Sequence, residues 1–391
     1  MLLYQSFVLF TLITLLVLVW INLRDYAPVA SPTPPRPEER LFILIPARNE
    51  AHHLRSCLDG LLAQNWRCFT VLVLDDASED GTGEIVAEYA CKDPRVQLLQ
   101  GRPIEPGWAG KVWACAQLGE AALSQGADWL LFLDADTRAH PDFVGTILAY
   151  GQTTGAGMVS GFPYQIAHSF WERAAMPMLH FLITTFLPIR LVWLTPFPQL
   201  VAACGQVELF HAETYRKIGG HASIPLSFHD GLQLARRVKA AGHTVRLLDV
   251  SPLIACRMYD GGRAVWNGFT RNAYEGLGSF GALVVMTTLQ VVLFLLPFVF
   301  LLAALAQRPV HGSWPSWSAL CLAQVGVILW IRLLQARRFG HLDAVWMHPL
   351  SIALMVAIQW ASWWRTLRRQ SIVWKGRIYA LCLLVFGAQS C

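Results

Sequence analysis

Apolar residues are concentrated at the two ends of the chain, and short apolar runs alternate with polar segments between them. Residues 1–23 carry no charge and are long enough to cross a bilayer as a helix. Residues 277–307 are also uncharged, and further apolar stretches follow at 314–331 and 344–364. This pattern predicts a membrane protein with a more polar central domain.

The first apolar stretch is predicted to be an uncleaved transmembrane anchor over residues 1–24. A cleaved signal peptide is the alternative. The stretch lacks a basic segment before it, exceeds the usual length of a signal-peptide apolar core and has no clear cleavage site after it. Arg24 favours a cytoplasmic position for the residues after the anchor. Residues 25–40 then form a linker, and its Pro-rich, charged part at 31–40 cannot be helical.

The central segment alternates buried strands with helices. Apolar runs at 41–45, 71–74, 96–99 and 129–133 are predicted strands. Helices are predicted at about 50–63, up to Cys91, and from Lys111 to about Gln125. Strands that alternate with helices indicate an α/β domain with a doubly wound, Rossmann-like, mostly parallel sheet.

Two carboxylates, Asp134 and Asp136, stand at the end of the strand at 129–133. Because side chains alternate along an extended chain, Asp134 and Asp136 are predicted to point to the same side and to hold one hard cation between them. Mg²⁺ and Mn²⁺ take oxygen ligands of this kind. Ligands of open α/β sheets bind outside the carboxyl ends of the strands, where this pair lies. A D-x-D triplet alone is common in solvated turns, so the prediction depends on the strand before it.

The loops after neighbouring strands suit a nucleoside diphosphate. Asp75 and Asp76 can accept hydrogen bonds from a base or ribose, while Ser78, Asp80 and Thr82 are predicted to cap the next helix. In the loop at 107–111, two glycines allow close backbone approach and a lysine supplies charge for a phosphate.

Composition narrows the class of protein. Hydrophobic residues make up 54% of the 391 and charged residues only 15%, which is too apolar for an ordinary soluble protein. The net charge of +5 comes with basic residues that flank C-terminal apolar segments, which favours lipid headgroups over nucleic acid. The nine cysteines show no CxxC motif and are predicted to be reduced.

Four motifs together resemble a known family: PARNE (46–50), DDASEDGT (75–82), GWAGKVWA (107–114) and DADT (134–137). Their order and spacing are similar to those of the family 2 glycosyltransferases, which have the GT-A fold and use nucleotide-sugar donors. Motifs between 160 and 278 resemble a narrower branch, the bacterial carotenoid glycosyltransferases of the chlorobactene glucosyltransferase and diaponeurosporenoate glycosyltransferase type. The resemblance covers about residues 40–280. It implies an inverting hexose transfer from a UDP-sugar with Mg²⁺ or Mn²⁺ on the D-x-D pair.

The resemblance also assigns binding roles. Expected nucleotide-sugar contacts are Pro46, Arg48, Glu50, Asp75, Asp76, Lys111, Asp134 and Arg271, and the expected metal ligands are Asp134 and Asp136. Gln206 and Trp266 are expected to contact the acceptor. An amphipathic helix at the membrane surface is an alternative reason for Trp266 and Arg271.

The catalytic base departs from the family pattern. Family members usually open a helix with an acidic pair, and the second acid is usually assigned as the base. Aligned on Gly242, the pair falls on Asp230 and Gly231, so one carboxylate remains. Asp230 is the predicted base; participation of His229, or loss of activity, are the alternatives. Either residue could also serve only as a helix N-cap.

The predicted domain order is an anchor (1–24), a linker (25–40), a GT-A domain (41–275) and a C-terminal membrane region (276–391) with two to three transmembrane segments. Prolines interrupt the apolar residues 170–200, so interfacial helices are expected there and at 260–275. Three full C-terminal crossings would place the basic residues 365–377 outside, against the charge bias. The conflict with the charge bias would disappear if one of the three segments were re-entrant or interfacial. It would also disappear if residues 378–388 folded back.

The sequence therefore predicts a multi-pass protein of the bacterial plasma membrane with a cytoplasmic catalytic domain. Its expected partners are a UDP-sugar, a lipid acceptor, for which a carotenoid is favoured, and membrane lipids, with no nucleic acid. Transfer to another lipid, such as a polyprenyl phosphate, hopanoid or ceramide-like acceptor, is an alternative. A non-catalytic membrane partner that retains the fold is another, because Gly231 removes one acid.

Overall fold

The computed structural model describes residues 1–28, 33–311, 314–368, 370 and 372–379. The chain divides into two compact units. The helical unit comprises Met1–Asp25, Ala167–Ile189 and Tyr259–Arg368, and the sheet unit comprises Tyr26–Ile166, Arg190–Met258 and Arg369–Cys391. Both stretches expected as interfacial helices, 170–200 and 260–275, fall wholly or largely in the helical unit.

The strands lie in the sheet unit. They are β1 (Leu41–Ala47), β2 (Phe69–Asp75), β3 (Val96–Gln100), β4 (Trp129–Leu133), β5 (Thr137–Ala139), β6 (Met158–Phe162), β7 (Tyr164–Gln165), β8 (Val207–His211), β9 (Val245–Asp249), β10 (Ile254–Cys256), β11 (Ile372–Trp374) and β12 (Arg377–Tyr379). Seven of them form one sheet in the order β3-β2-β1-β4-β8-β6-β9. Pairing is parallel except where β8 runs antiparallel to β4 and β6. The predicted doubly wound, mostly parallel sheet is confirmed.

The helices belong to both units. They are α1 (Leu2–Asp25), α2 (Ala51–Leu62), α3 (Thr82–Lys92), α4 (Gly110–Ser124), α5 (Phe143–Thr154), α6 (Phe170–Ala175), α7 (Pro177–Phe186), α8 (Ile189–Leu194), α9 (Ala212–Lys217), α10 (Asp230–Ala240), α11 (Gly262–Leu277), α12 (Phe280–Phe294), α13 (Leu296–His311), α14 (Ser318–Phe339) and α15 (His348–Leu367). The helices predicted before β2, β3 and β4 correspond to α2, α3 and α4.

The core of the sheet unit explains why the apolar runs became strands. All five residues of β4 are buried, as are the first five of β1, because helices cover both faces of the sheet. Burial of such runs on both faces is the usual condition of a parallel sheet. The carboxyl ends of β1, β2 and β4 therefore meet at one edge, and the loops that follow them carry the predicted site residues.

The helical unit has its own core. Buried side chains such as Val8, Phe181, Phe294, Ile331 and Ile352 bring α1, α7, α12, α14 and α15 together. Within the described residues, three helical stretches are long and apolar enough to cross a membrane, namely Leu2–Asp25, Phe280–Gln307 and Ser318–Phe339. They match the predicted anchor and the first two predicted C-terminal segments.

The third predicted C-terminal segment, residues 344–364, forms α15, which is not among those three helices. It begins at His348 with a proline in its first turn and packs mainly against α11.

The Pro-rich linker is non-helical, as expected, over its described residues 33–40. It lies on the sheet unit: the Arg36 N–H donates to Gln152 on α5 at 2.8 Å, and the Trp129 indole donates to Glu39 at 2.5 Å. Residues 29–32 of the predicted linker lie outside the described residues.

Candidate active site

The loops after β1 and β2 are joined by side-chain caps. Consecutive N–H groups of residues 49–51 donate to Ser78 Oγ, Thr82 Oγ1 and Asp80 Oδ2 at 3.0, 2.9 and 2.9 Å. The sequence predicted that these three side chains cap α3, but they chiefly serve the start of α2. Only Asp80 also serves α3, accepting from the Thr82 N–H at 3.1 Å. The two loops therefore form one connected layer at the sheet edge.

The adjacent carboxylates after β2 have different surroundings. Asp75 is buried, and its Oδ1 accepts from the Ser78 N–H at 3.1 Å, which fixes the turn. Asp76 is paired through both of its carboxylate oxygens with the guanidinium of Arg377. Asp76 thus faces a charged partner from the C-terminal hairpin, while Asp75 serves its own loop.

Arg48 and Glu50, both predicted to contact the nucleotide sugar, are also engaged with protein groups. The Arg48 guanidinium donates to the carbonyls of Asp76 and Ala77 at 2.5 and 2.9 Å. The Glu50 carboxylate lies 2.9 Å from Lys375 Nζ. Arg48 therefore holds the β2 loop in place, and Glu50 shares its negative charge with a lysine.

Asp134 and Asp136 lie in the turn between β4 and β5, so the strand alternation used to predict their common direction does not apply. Asp136 Oδ1 is buried and has no hydrogen-bond partner among the residues that the structure describes. Burial and the nearby charge of Asp134 raise the pKa of Asp136 to about 7. A buried, unpartnered carboxylate oxygen next to a second carboxylate fits a divalent cation.

The described part of the chain contains no group of three or more His, Cys, Asp or Glu side chains arranged to hold a metal. A cation on Asp134 and Asp136 would take its other ligands from water and from the phosphates of a substrate, as is usual for Mg²⁺. These ligands are typical of a metal site that the substrate completes, and not of a structural site in which the protein supplies every ligand.

Lys111 connects two acids from distant parts of the chain. Its Nζ lies 2.8 Å from Asp134 Oδ1 and 3.1 Å from Asp230 Oδ2, and donates to the Gly205 carbonyl at 3.0 Å. Burial alone would lower the pKa of Lys111, but the two carboxylates raise it well above its ordinary value. Lys111 is therefore charged. It was predicted to contact phosphate, whereas here its ammonium group is shared between carboxylates.

Asp230 opens α10 and is 8% exposed. Burial alone would raise the pKa of Asp230, but the charge of Lys111 brings it below its ordinary value. The carboxylate of Asp230 is thus ionised. His229 precedes the helix, and its backbone N–H donates to Ser227 Oγ at 3.0 Å. Neither side chain caps a later N–H of α10, although Asp230 Oδ1 accepts from the adjacent Gly231 N–H at 2.9 Å.

Glu208 is a further acid that sequence reasoning missed. It lies on β8, is 1% exposed, and its Oε1 has no hydrogen-bond partner among the described residues. Burial raises the pKa of Glu208 well above its ordinary value. A charge inside the otherwise apolar run VELF was the available signal. Glu208 shares one small pocket with other residues, among them Pro46, Lys111, Asp134, His221 and Asp230.

The remaining predicted site residues are Gln206, Trp266 and Arg271. Gln206 is 3% exposed; its Nε2 donates to Cys256 Sγ at 2.7 Å and its Oε1 accepts from Gln165 at 2.8 Å. The carboxamide of Gln206 is therefore hydrogen-bonded within the protein at both ends, and its contact with the acceptor stays a prediction. Trp266 and Arg271 lie on α11 in the helical unit, where Trp266 is 38% exposed. Their contacts with substrates stay predictions.

Comparisons with known proteins agree with this architecture. Residues 42–218 match the family model described as Glycosyl transferase family 2. The chain is 28% identical over 353 residues to 4,4'-diaponeurosporenoate glycosyltransferase of Staphylococcus aureus strain USA300, covering 87% of this chain and 88% of the relative. The enzyme of the same name from strain bovine RF122 / ET3-1 is 27% identical over 366 residues, with 87% and 88% covered.

Among solved structures, the mannosyltransferase PcManGT from Pyrobaculum calidifontis, in complex with GDP-Man and Mn²⁺, has a similar fold. The TM-score is 0.52 at 18% identity, and the alignment covers 93% of this chain and 99% of that one. At this identity the likeness concerns the fold alone, and it confirms the GT-A architecture expected from the sequence motifs.

Proposed function

We propose that this protein, whose residues 42–218 match the glycosyl transferase family 2 model, is a glycosyltransferase that moves a hexose from a UDP-sugar to a hydrophobic lipid acceptor with inversion. The observation that carries the proposal is the convergence of Asp134, Lys111 and Asp230 in one pocket at the carboxyl edge of the sheet. This edge is where open α/β sheets bind their ligands.

Asp134 and Asp136 would hold Mg²⁺ or Mn²⁺. When bound, the cation offsets the negative charge that develops on the departing nucleoside diphosphate. The unpartnered Oδ1 of Asp136 supports this assignment, because a buried carboxylate oxygen without a donor is costly unless a ligand completes it.

Asp230 is the proposed base. Inversion requires a proton acceptor near the attacking hydroxyl, on the side of the sugar opposite the diphosphate. Asp230 stands at the start of a helix, where the positive end of the helix dipole and Lys111 both stabilise its ionised form. Lys111 orients this carboxylate, and His229 beside it is the alternative proton acceptor.

A carotenoid is the favoured acceptor. Support comes from the two staphylococcal relatives, whose name states that they glycosylate diaponeurosporenoate, and which are matched over most of their length. Exposed apolar side chains on the predicted membrane helices, including Phe7, Phe10, Leu302 and Leu322, suit a protein that works beside lipid. Trp266, exposed on α11, is proposed to contact the acceptor.

We infer a location in the bacterial plasma membrane, which the three long apolar helices support, and propose that the sheet unit lies in the cytoplasm. Contacts within the sheet unit join Lys375, which follows all the C-terminal helices, to Glu50. The chain between residues 276 and 371 must therefore cross the membrane an even number of times. Two crossings, by Phe280–Gln307 and Ser318–Phe339, meet this requirement and keep the basic residues 365–377 inside.

The test is to incubate membranes that contain the protein with radiolabelled UDP-hexoses and to follow label into organic-extractable products. Label in pigment supports the proposal, whereas label in colourless lipid assigns a different lipid acceptor. Intact UDP-sugar binding without labelled product would indicate a non-catalytic partner. The variant Asp136→Asn is expected to lose activity at least about hundredfold. Asp142→Asn is the matched control, since Asp142 is an exposed aspartate with a 55% exposed side chain.

A further inference from the structure

The last described segment of the chain contacts the loops after β1 and β2, where the sugar donor is proposed to bind. Strands β11 and β12 form a hairpin in which Trp374 pairs with Arg377, so Lys375 and Gly376 make a two-residue turn. Arg377 is paired with Asp76, and Lys375 Nζ lies 2.9 Å from Glu50 Oε1. Both acids were assigned to the nucleotide sugar from the sequence, without any reference to this hairpin.

The hairpin tip is bound to both loops of that site. Lys375 Nζ also donates to the Asn49 carbonyl at 3.0 Å, and Arg48 Nε donates to the Lys375 carbonyl at 3.0 Å. Arg48 in turn donates to the Asp76 carbonyl. The tip, the loop after β1 and the loop after β2 therefore form one closed ring of hydrogen bonds.

The Arg377–Asp76 pair is largely shielded from water. The side chain of Arg377 is 18% exposed and that of Asp76 is 6% exposed. Both guanidinium Nη atoms take part, one on each carboxylate oxygen. Two parallel charge-assisted hydrogen bonds fix the plane of a carboxylate, which a single contact cannot do. Asp76 is thus held in one orientation.

Backbone strain is concentrated in the same three segments. Within the described residues, positive φ outside glycine occurs at Asn49 (52°), Ala77 (54°) and Lys375 (49°). A two-residue hairpin turn with positive φ at both positions normally takes Asn-Gly or Asp-Gly, so Lys375 is an unfavourable choice for the turn alone. Strained non-glycine residues of this kind cluster at functional sites. The side-chain contacts of Lys375 give a reason for its presence.

We propose that Lys375 and Arg377 are positioning residues of the donor site, which hold Glu50 and Asp76 in the orientation that binds the nucleoside of the sugar donor. The inference rests on the proposed function, since it presupposes a nucleotide-sugar donor at this edge. Arg377 acts through Asp76, and Lys375 acts through Glu50 and the loop after β1. The hairpin follows α15, the last helix of the helical unit, in the sequence. The ribosome must therefore synthesise the whole helical unit before the hairpin can complete the donor site.

The test uses the full-length enzyme with Arg377→Gln and, separately, Lys375→Gln. Both KM for the UDP-sugar and the Kd for labelled UDP, measured by equilibrium dialysis, are expected to rise about tenfold or more. The kcat at saturating donor is expected to stay within about threefold, because a lost orienting contact that acts on ground state and transition state alike changes KM alone. Arg377→Lys, which keeps the charge but loses the paired geometry, is expected to lie between wild type and Arg377→Gln.

The matched control is Arg95→Gln. Arg95 makes a similar paired contact with Asp93, at 2.7 and 3.0 Å, before β3 at the opposite edge of the sheet. The KM of the Arg95→Gln variant for the UDP-sugar and its Kd for UDP are expected to equal those of the wild type. If Arg377→Gln fails to fold, Lys375→Gln makes the same test through Glu50.

Unchanged donor KM and UDP affinity in both hairpin variants would overturn the inference. A fall in KM would overturn it as well, because the hairpin would then compete with the nucleotide. These outcomes differ from failure of the proposed function, in which the wild-type protein itself would bind no UDP and transfer no sugar.

Discussion

A Cβ atom at Gly231 would lie 2.5 Å from Oε1 of Glu208. The side chain of the second acid in the family's helix-opening pair would therefore point into the space that the Glu208 carboxylate already fills. The same Cβ would lie 2.8 Å from the Gly205 nitrogen, which as backbone cannot move aside easily. Glycine at 231 and glutamate at 208 are thus two parts of one packing arrangement.

We expect Gly231→Asp to destabilise the protein by about 1–3 kcal/mol, the usual cost of overpacking a buried site. The measurement is thermal unfolding of the detergent-solubilised protein. Restoring the family's usual acid is therefore expected to reduce activity along with stability.

The double variant Glu208→Ala/Gly231→Asp tests the cause. Removing the Glu208 carboxylate opens the space that the new side chain needs, so the double variant should be more stable than Gly231→Asp alone. Equal stability of Gly231→Asp and the wild type would contradict the packing argument.

Chelation is expected to stop transfer. Removing divalent cations with EDTA should abolish labelling of the acceptor, and added Mg²⁺ or Mn²⁺ should restore it, because Asp134 and Asp136 offer oxygen ligands that suit hard cations. Asp136→Asn should stay inactive at every metal concentration, while Asp142→Asn should behave as wild type. Full activity of the chelated enzyme would refute the metal assignment.

Much of the fold was predictable because strand burial leaves a local signal. The runs LFILI and WLLFL are apolar without interruption, as strands covered on both faces must be, and both lie in the central sheet. The D-x-D pair followed from the end of the second run. Its geometry did not follow, because the chain leaves the extended conformation at Asp134 and enters a turn.

The missed parts of the site depend on contacts between residues far apart in sequence. Lys375 and Arg377 read as part of a basic segment beside a membrane helix, and nothing local connects them to Glu50 and Asp76, about 300 residues earlier. Glu208 carried a weak signal as one acid in an apolar strand. The role of Glu208 depends on its contact with Gly231, and the packing of α10 against the sheet brings these two residues together.

The topology of the C-terminal region gives a further prediction. Because Lys375 pairs with Glu50 within one unit, we expect the segment between α13 and α14 to lie on the opposite side of the membrane from the sheet unit. An epitope inserted after Trp314 should be accessible to antibody in intact spheroplasts. An epitope inserted in the exposed turn near Glu105 should be accessible only after permeabilisation. Equal accessibility of both in intact spheroplasts would contradict an even number of crossings.

Glu172 joins α6 to the start of α11 inside the helical unit. Its carboxylate accepts hydrogen bonds from the His168 N–H at 2.8 Å, the Ser169 hydroxyl at 2.7 Å and the Gly261 N–H at 2.6 Å. Burial alone would raise the pKa of Glu172, but these hydrogen bonds lower it to about 2. The stabilisation is therefore fully present above the unfolded pKa of about 4.3 and is lost as the pH falls towards 2.

We expect Glu172→Gln to lower the free energy of unfolding by about 1–3 kcal/mol at pH 7, because the neutral amide has one acceptor oxygen in place of two and its NH₂ group cannot accept a hydrogen bond. The difference from the wild type should shrink as the pH falls below about 4, since protonation weakens the wild-type contacts too. Thermal unfolding in detergent between pH 7 and pH 3 measures both quantities. Glu120→Gln, which alters an exposed ion pair with Arg102, should change little at any pH. A pH-independent difference for Glu172→Gln would show that packing, and not the ionised carboxylate, joins the two helices.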